Sequence, residues 1–139
     1  MNPARYLLDT NILIYIRRRR PPKILERFRL LKPGEATLSV ITYGELLYGA
    51  EKSANREVAM RQLTELAALI PVLPMAEDAG RFYGAIRAEL EQRGEVIGNN
   101  DLWIAAHAKA VGLILVTNNE REFRRVGDLK IENWADHGP

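Results

Sequence analysis

The chain has no cysteine, which excludes disulfides and thiolate metal sites alike. Histidine is nearly as scarce. His107 and His137 are the only two, too few for a histidine-rich zinc centre. His107 follows Ile104-Ala105-Ala106 and reads as a packed helical residue rather than a base. Long apolar runs are also missing. The run from Tyr6 to Ile16 is interrupted by Asp9 and falls well short of the ~20 residues needed to span a bilayer. No small-residue cleavage site follows it, so the expectation is buried structure in a cytoplasmic protein with no membrane association. There is no G-x-S-x-G elbow and no glycine-rich phosphate loop, which sets aside serine-hydrolase and P-loop chemistry. Internal repeats, low-complexity tracts and long linkers are absent as well.

What is present suits one compact domain. The 139 residues are 47% hydrophobic and 27% charged, an ordinary balance for a globular chain with a real core. The expected division is a single domain over residues 1–134 and a short frayed tail over 135–139. Tyr6–Leu8 reads as a buried strand, with a helix from Asn11 to Ile16. Pro21 and Pro22 stop that helix and open another, which ends near Pro33-Gly34. Ala36–Val40 is a second strand, followed by helices over Thr42–Lys52 and Asn55–Leu69. Pro71–Leu73 is a weak strand between prolines. Ala79, Phe82, Tyr83, Ile86 and Leu90 form a helical stripe that Gly94 ends. A helix opens at Asn99 or Asn100, Leu113–Val116 is an apolar strand, Glu120–Arg125 a helical turn and Ile131–Asn133 an edge strand. This alternation predicts an α/β fold with a parallel sheet and helices on both faces.

Charge is unevenly spread. Residues 17–32 hold eight basic side chains against Glu26 alone, so that segment is +7 and the remainder −5. Fifteen of the twenty basic residues are arginines, whose forked guanidinium suits phosphate. Arg17, Arg18, Arg19 and Arg20 are therefore candidates for contact with a nucleic-acid backbone. A solvated helix face explains the same run.

The acids are more informative than the bases. Asp9 is the only charge between Tyr6 and Ile16, Glu45 the only one from Ala36 to Ala50, and Asp101 the only one from Val96 to Ala108. Each lies in sequence that otherwise favours burial, where a lone carboxylate is costly unless something compensates it. Capping explains each one singly. Asp9 can cap the helix near Asn11, Thr42-x-x-Glu45 fits a capping box, and Asp101 sits where the helix dipole favours negative charge. Together they suggest more, because all three stand at helix starts and two follow strands directly. The crevice at the carboxyl ends of parallel strands is where ligands bind. Carboxylates meeting there call for a hard divalent cation, Mg²⁺ or Mn²⁺.

Three segments carry a resemblance: LLDTNILIY near the start, ITYGELLYGAEKS in the middle, and VIGNNDLWIAAHAKAVGLILVTNNEREFRRVGDLKIENW at the end. In order and spacing, from Tyr6 to Trp134, they resemble the PIN-domain VapC toxins. The resemblance implies a central parallel sheet sandwiched by helices, with an acidic pocket at one end. It also implies a metal-dependent endoribonuclease that acts on RNA such as tRNA, inhibits translation, forms a homodimer and is restrained by a VapB-type antitoxin. The antitoxin's tail would place an arginine among the carboxylates. Asp9, Glu45 and Asp101 match the family's first three acids and are the implied metal ligands. The fourth acidic position falls either on Asn119, an asparagine in this chain, or on Glu122, which the resemblance makes a catalytic candidate with the other three. Asn11, Thr117 and Asn119 are expected to orient the carboxylates. Two other readings remain open: an Mg²⁺-dependent phosphoryl-transfer domain built on an aspartate after strand one, and a catalytically silent RNA- or protein-binding module whose acids are only caps.

Overall fold

The computed structural model describes residues 2–135; most of the expected tail, with His137, lies outside the described residues. Five strands, β1 (Tyr6–Leu8), β2 (Ala36–Ser39), β3 (Val72–Leu73), β4 (Ile114–Val116) and β5 (Ile131–Glu132), form one sheet in the order β3-β2-β1-β4-β5. All four pairings are parallel. From β1 the chain winds outward through β2 and β3, then returns to lay β4 and β5 on the other side. The direction of winding therefore reverses between β1 and β4, which is where an open parallel sheet leaves its crevice.

Among the described residues, seven helices cover the sheet: α1 (Thr10–Arg18), α2 (Pro22–Arg29), α3 (Val40–Glu51), α4 (Arg56–Leu69), α5 (Glu77–Arg93), α6 (Asn99–Val111) and the single turn α7 (Glu120–Phe123). Side chains alternate across a strand, and β1 shows the result. Tyr6 and Leu8 enter a core with Ile12, Leu13, Leu46 and Leu63 from α1, α3 and α4. Leu7 enters the opposite core with Ile86, Leu90, Leu102 and Phe123 from α5, α6 and α7. Both faces are buried, so the strands read as unbroken apolar runs. Gly94 and Gly112 end α5 and α6 at φ of 68° and 69°, backbone that glycine adopts without steric cost.

The strongest sequence segments fold as expected, and the differences fall at the ends. Helix α2 stops at Arg29, before Pro33-Gly34. Helix α3 starts at Val40 rather than Thr42, because the Ser39 hydroxyl accepts from the Ile41 amide and caps it. Thr42 is then inside the helix and fully buried, so the capping box expected between Thr42 and Glu45 does not form. Glu45 is released from the cap for other work.

Two clusters tie the outer elements together. Glu132 on β5 accepts from both Arg27 of α2 and the indole N–H of Trp134, each at 3.0 Å. Arg27, one of the eight basic residues of the charged segment, is thus engaged within the fold. On the other face, Nδ1 of His107 lies 2.8 Å from the Ser39 hydroxyl. Burial holds this imidazole below its ordinary pKa of 6.5, against a smaller upward pull from the Pro74 carbonyl. It is the packed, neutral helix residue expected from its neighbours.

Candidate active site

The register of the two central strands builds the site. Leu8 pairs with Val116, so the next residues, Asp9 and Thr117, leave the sheet side by side. The Asp9 amide donates to the Val116 carbonyl at 2.9 Å. Asp9 is then buried at 5% exposure with both oxygens held. Its Oδ1 accepts from the Thr10 amide at 2.7 Å, capping α1, and its Oδ2 accepts from the Thr117 hydroxyl at 2.9 Å. Capping and site placement are therefore compatible for this residue. Thr117 is itself fully buried and accepts from the Asn119 amide at 2.9 Å, which fixes the hydroxyl's direction.

Glu45 projects from the second turn of α3 toward the same edge, where its Oε1 accepts from the Thr10 hydroxyl at 2.9 Å. Thr10 thus uses its amide for the first acid and its hydroxyl for the second. Asp101 is the third residue of α6, whose N-cap is Gly98, and no side chain caps that helix. An Asp101 oxygen lies 3.6 Å from where a Cβ on Gly98 would stand. Glu122, on α7, accepts from the Asn119 side-chain amide at 2.7 Å and shares a hydrogen bond with Asp101.

Asp9 and Asp101 respond to the acids around them. Burial raises the pKa of Asp9; hydrogen bonds from Thr117 and Thr10 oppose this, and the charges of Glu45 and Glu122 add to it. Burial is also the first cause at Asp101, followed by the hydrogen bond with Glu122 and repulsion from Asp9, Glu122 and Glu45. Together they push Asp101 from 3.8 up to about 7. Gathered carboxyls that raise one another's proton affinity are a donor set suited to a hard cation, which would relieve the repulsion. Among the described residues, no three His, Cys, Asp or Glu side chains already stand where they could hold a metal ion together. Glu45 is tied to Thr10 instead, and Glu122 to Asn119 and Asp101.

Of the residues expected from sequence, the fold brings Asp9, Glu45, Asp101, Glu122, Thr117 and Asn119 to one place. Asn11 is not among them. It is exposed on α1, and among the described residues no hydrogen bond from its side chain reaches a carboxylate. Thr10, one residue earlier, takes that part. Asn118, not expected from the sequence, donates from its side chain to the Tyr15 hydroxyl at 2.8 Å beside the site. A polar run of Thr117, Asn118 and Asn119 directly after a buried strand is the signal that could have found it.

Residues 6–129 match the PIN domain family model. The chain is 46% identical over 131 residues to ribonuclease VapC2 of Haemophilus influenzae, covering 94% of this chain and 98% of that protein. It belongs to the VapC family of PIN-domain proteins. Within that family it is 43% identical over 131 residues to the tRNA(fMet)-specific endonuclease VapC of Shigella flexneri, with the same coverage. Its fold superposes on VapBC-1 from nontypeable Haemophilus influenzae with a TM-score of 0.88, at 42% identity over 94% of this chain and 98% of that one. The PIN-domain match spans all four acids, from Asp9 to Glu122.

A groove of about 780 Å³ opens beside the acids, between α1, α3 and α4. Thr10 and Glu45 stand at one end, Leu63, Leu66 and Leu69 line its apolar length, and Arg17, Arg18 and Arg19 contribute to its walls. No helix among the described residues is long and apolar enough to cross a membrane.

Proposed function

We propose that this chain is the endoribonuclease toxin of a VapBC-type pair, acting in the cytoplasm as a homodimer on RNA, with tRNA the first substrate to test. The observation that supports it most directly is the pairing of buried Asp9 with Asp101, whose carboxyl is pushed up to about 7, at the crevice between β1 and β4. A cap alone accounts for neither. Asp9 spends one oxygen on Thr117, and among the described residues Asp101 is bonded to Glu122 and α6 has no side-chain cap at its N-cap, Gly98.

Asp9, Asp101 and Glu45 would hold Mg²⁺ or Mn²⁺, with Glu122 completing the acidic wall. The ion, when bound, supplies a water of lowered pKa and neutralises charge on the phosphate and its leaving oxygen. Thr117 and Thr10 aim the carboxylates of Asp9 and Glu45, and Asn119 restrains Glu122. Water attacks rather than the ribose 2′-hydroxyl, so the products carry a 5′-phosphate and a 3′-hydroxyl. Arg17–Arg20 are all exposed and the first three line the groove, placed to guide the RNA backbone, although Arg17 also donates to Gln62 at 3.1 Å. The phosphoryl-transfer reading leaves Glu45 without a purpose, and the silent-module reading leaves the clustering of four acids without one.

The test is cleavage of total tRNA by the purified chain with Mg²⁺ or with EDTA. Discrete fragments ending in 5′-phosphate are expected with Mg²⁺ and none with EDTA. Cutting that survives EDTA, or cyclic-phosphate ends, would reject this mechanism.

The groove supports the antitoxin as partner. Its apolar length fits a segment with apolar side chains, and its acidic end fits a terminal guanidinium that replaces the cation's charge. Leu69 lines it while 69% exposed. Leu69→Glu is expected to keep RNA cleavage near wild type while weakening inhibition by the co-encoded antitoxin at least about 10-fold. Unchanged inhibition would move the antitoxin to another face.

A further inference from the structure

The chain's two tryptophans are used differently. Trp134 is fully buried and its indole N–H is bonded to Glu132. Trp103, on α6 two residues after Asp101, is only half-buried. Its ring stacks on Tyr83 of α5, with centroids 3.9 Å apart and planes 16° from parallel. Among the described residues its indole N–H bonds to no protein group. The Tyr83 hydroxyl donates to the Asn99 side chain and accepts from the Arg87 guanidinium at 2.9 Å, and that guanidinium lies 6.0 Å from the Tyr83 ring centre. Arg87 and Asn99 are exposed. Tyr83 packs against the edge of the core, which α5 and α6 also share through Ile86, Leu90, Leu102 and Ile104; Trp103 lies outside that cluster.

We propose that the Tyr83–Trp103 stack, with Arg87 and Asn99 at its edge, is a platform for an unpaired base of the RNA substrate near the cleaved phosphate. The idea rests on the ribonuclease reading above. Asp101 and Trp103 are the third and fifth residues of α6; their side chains leave the helix on different sides, but their backbones are only two residues apart. A strand whose phosphate lies at Asp101 passes this end of α6 within a short stretch of backbone. Every base presents a π-face, and aromatic rings hold single-stranded nucleotides by stacking, with arginine adding a cation–π component. A free indole N–H and the Asn99 amide at the rim supply polar contacts for a base edge. The rigid pairing of the two rings lowers the ordering cost of the contact. A loop nucleotide, already unstacked, is the substrate element that fits.

The experiment compares wild type, Trp103→Ala and Trp103→Phe in Mg²⁺-dependent tRNA cleavage, with thermal melting and sedimentation of each protein. Trp103→Ala is expected to raise KM about 10-fold or more while kcat stays within about 3-fold, and Trp103→Phe to fall between it and wild type. RNA added to the wild-type protein should quench tryptophan emission, and the quench should be lost in Trp103→Phe, which leaves only buried Trp134. That second reading holds even if the alanine variant does not fold. A folded variant with unchanged KM and an undiminished quench overturns the platform while leaving the nuclease standing. A KM change that appears only with dissociation of the protein assigns the stack to a protein contact and overturns it too. Wild type that cleaves no RNA overturns the platform together with the reading beneath it.

Discussion

Asp101→Asn is expected to lower RNA cleavage by at least about 100-fold while leaving the protein as stable as wild type, or more stable, at pH 8. Loss of an outer partner of a metal site already costs about 10–100-fold, and Asp101 is placed to bind the ion itself. The effect on stability runs the opposite way because the ionised carboxylate is half-buried among three other acids. An asparagine keeps its shape and a hydrogen bond for Glu122, and it removes the repulsion. A gain of about 1 kcal/mol, discounted for partial exposure, would raise the melting temperature by a few degrees. If Asp101 were only a favourable charge at a helix start, the variant would melt lower and cleave normally. Parallel melting and cleavage measurements at pH 8 separate the two.

The metal-free protein is expected to lose stability as pH rises from about 4 to 7. Asp101 holds its proton to about 7 when folded, against an ordinary value of 3.8. Between those values the native state binds a proton that the unfolded chain has released, so stability falls with increasing pH and the loss is complete above about 7. Asp9, shifted upward as well, acts in the same direction. Mg²⁺ must displace these protons. Its stabilising effect should therefore be large at pH 8, about 2.7 kcal/mol at a hundredfold excess over the dissociation constant, and small at pH 5.5. Cleavage should rise through the same range. Melting curves with Mg²⁺ and with EDTA at the two pH values measure this. An equal Mg²⁺ effect at both would mean that these carboxyls are not the ligands.

Much of the site was legible before the fold, for a physical reason. An ionisable side chain alone in apolar sequence is costly, so Asp9, Glu45 and Asp101 stood out by position without any tertiary information. Local propensity could not settle which hydroxyl caps α3. Ser39 and Thr42 are both good caps three residues apart, and the choice fell to the strand, which ends at Ser39. That choice freed Glu45. The exchange of Asn11 for Thr10 has a similar origin, since the helix starts one residue earlier than expected and turns Asn11 outward.

Composition and pattern alone set the layers: buried strands alternating with helices, acids placed at the strand ends, no cysteine and only two histidines. Tertiary structure decided which oxygens meet. Thr117 reaches Asp9 across 108 residues of chain because the parallel register sets Leu8 opposite Val116, and Asp101 is raised to about 7 by burial first, then by Glu122, Asp9 and Glu45 brought in from elsewhere in the chain. Neither relation exists until the sheet closes its central pair, because propensity acts over a few residues while electrostatics and hydrogen bonds act wherever the fold brings groups together.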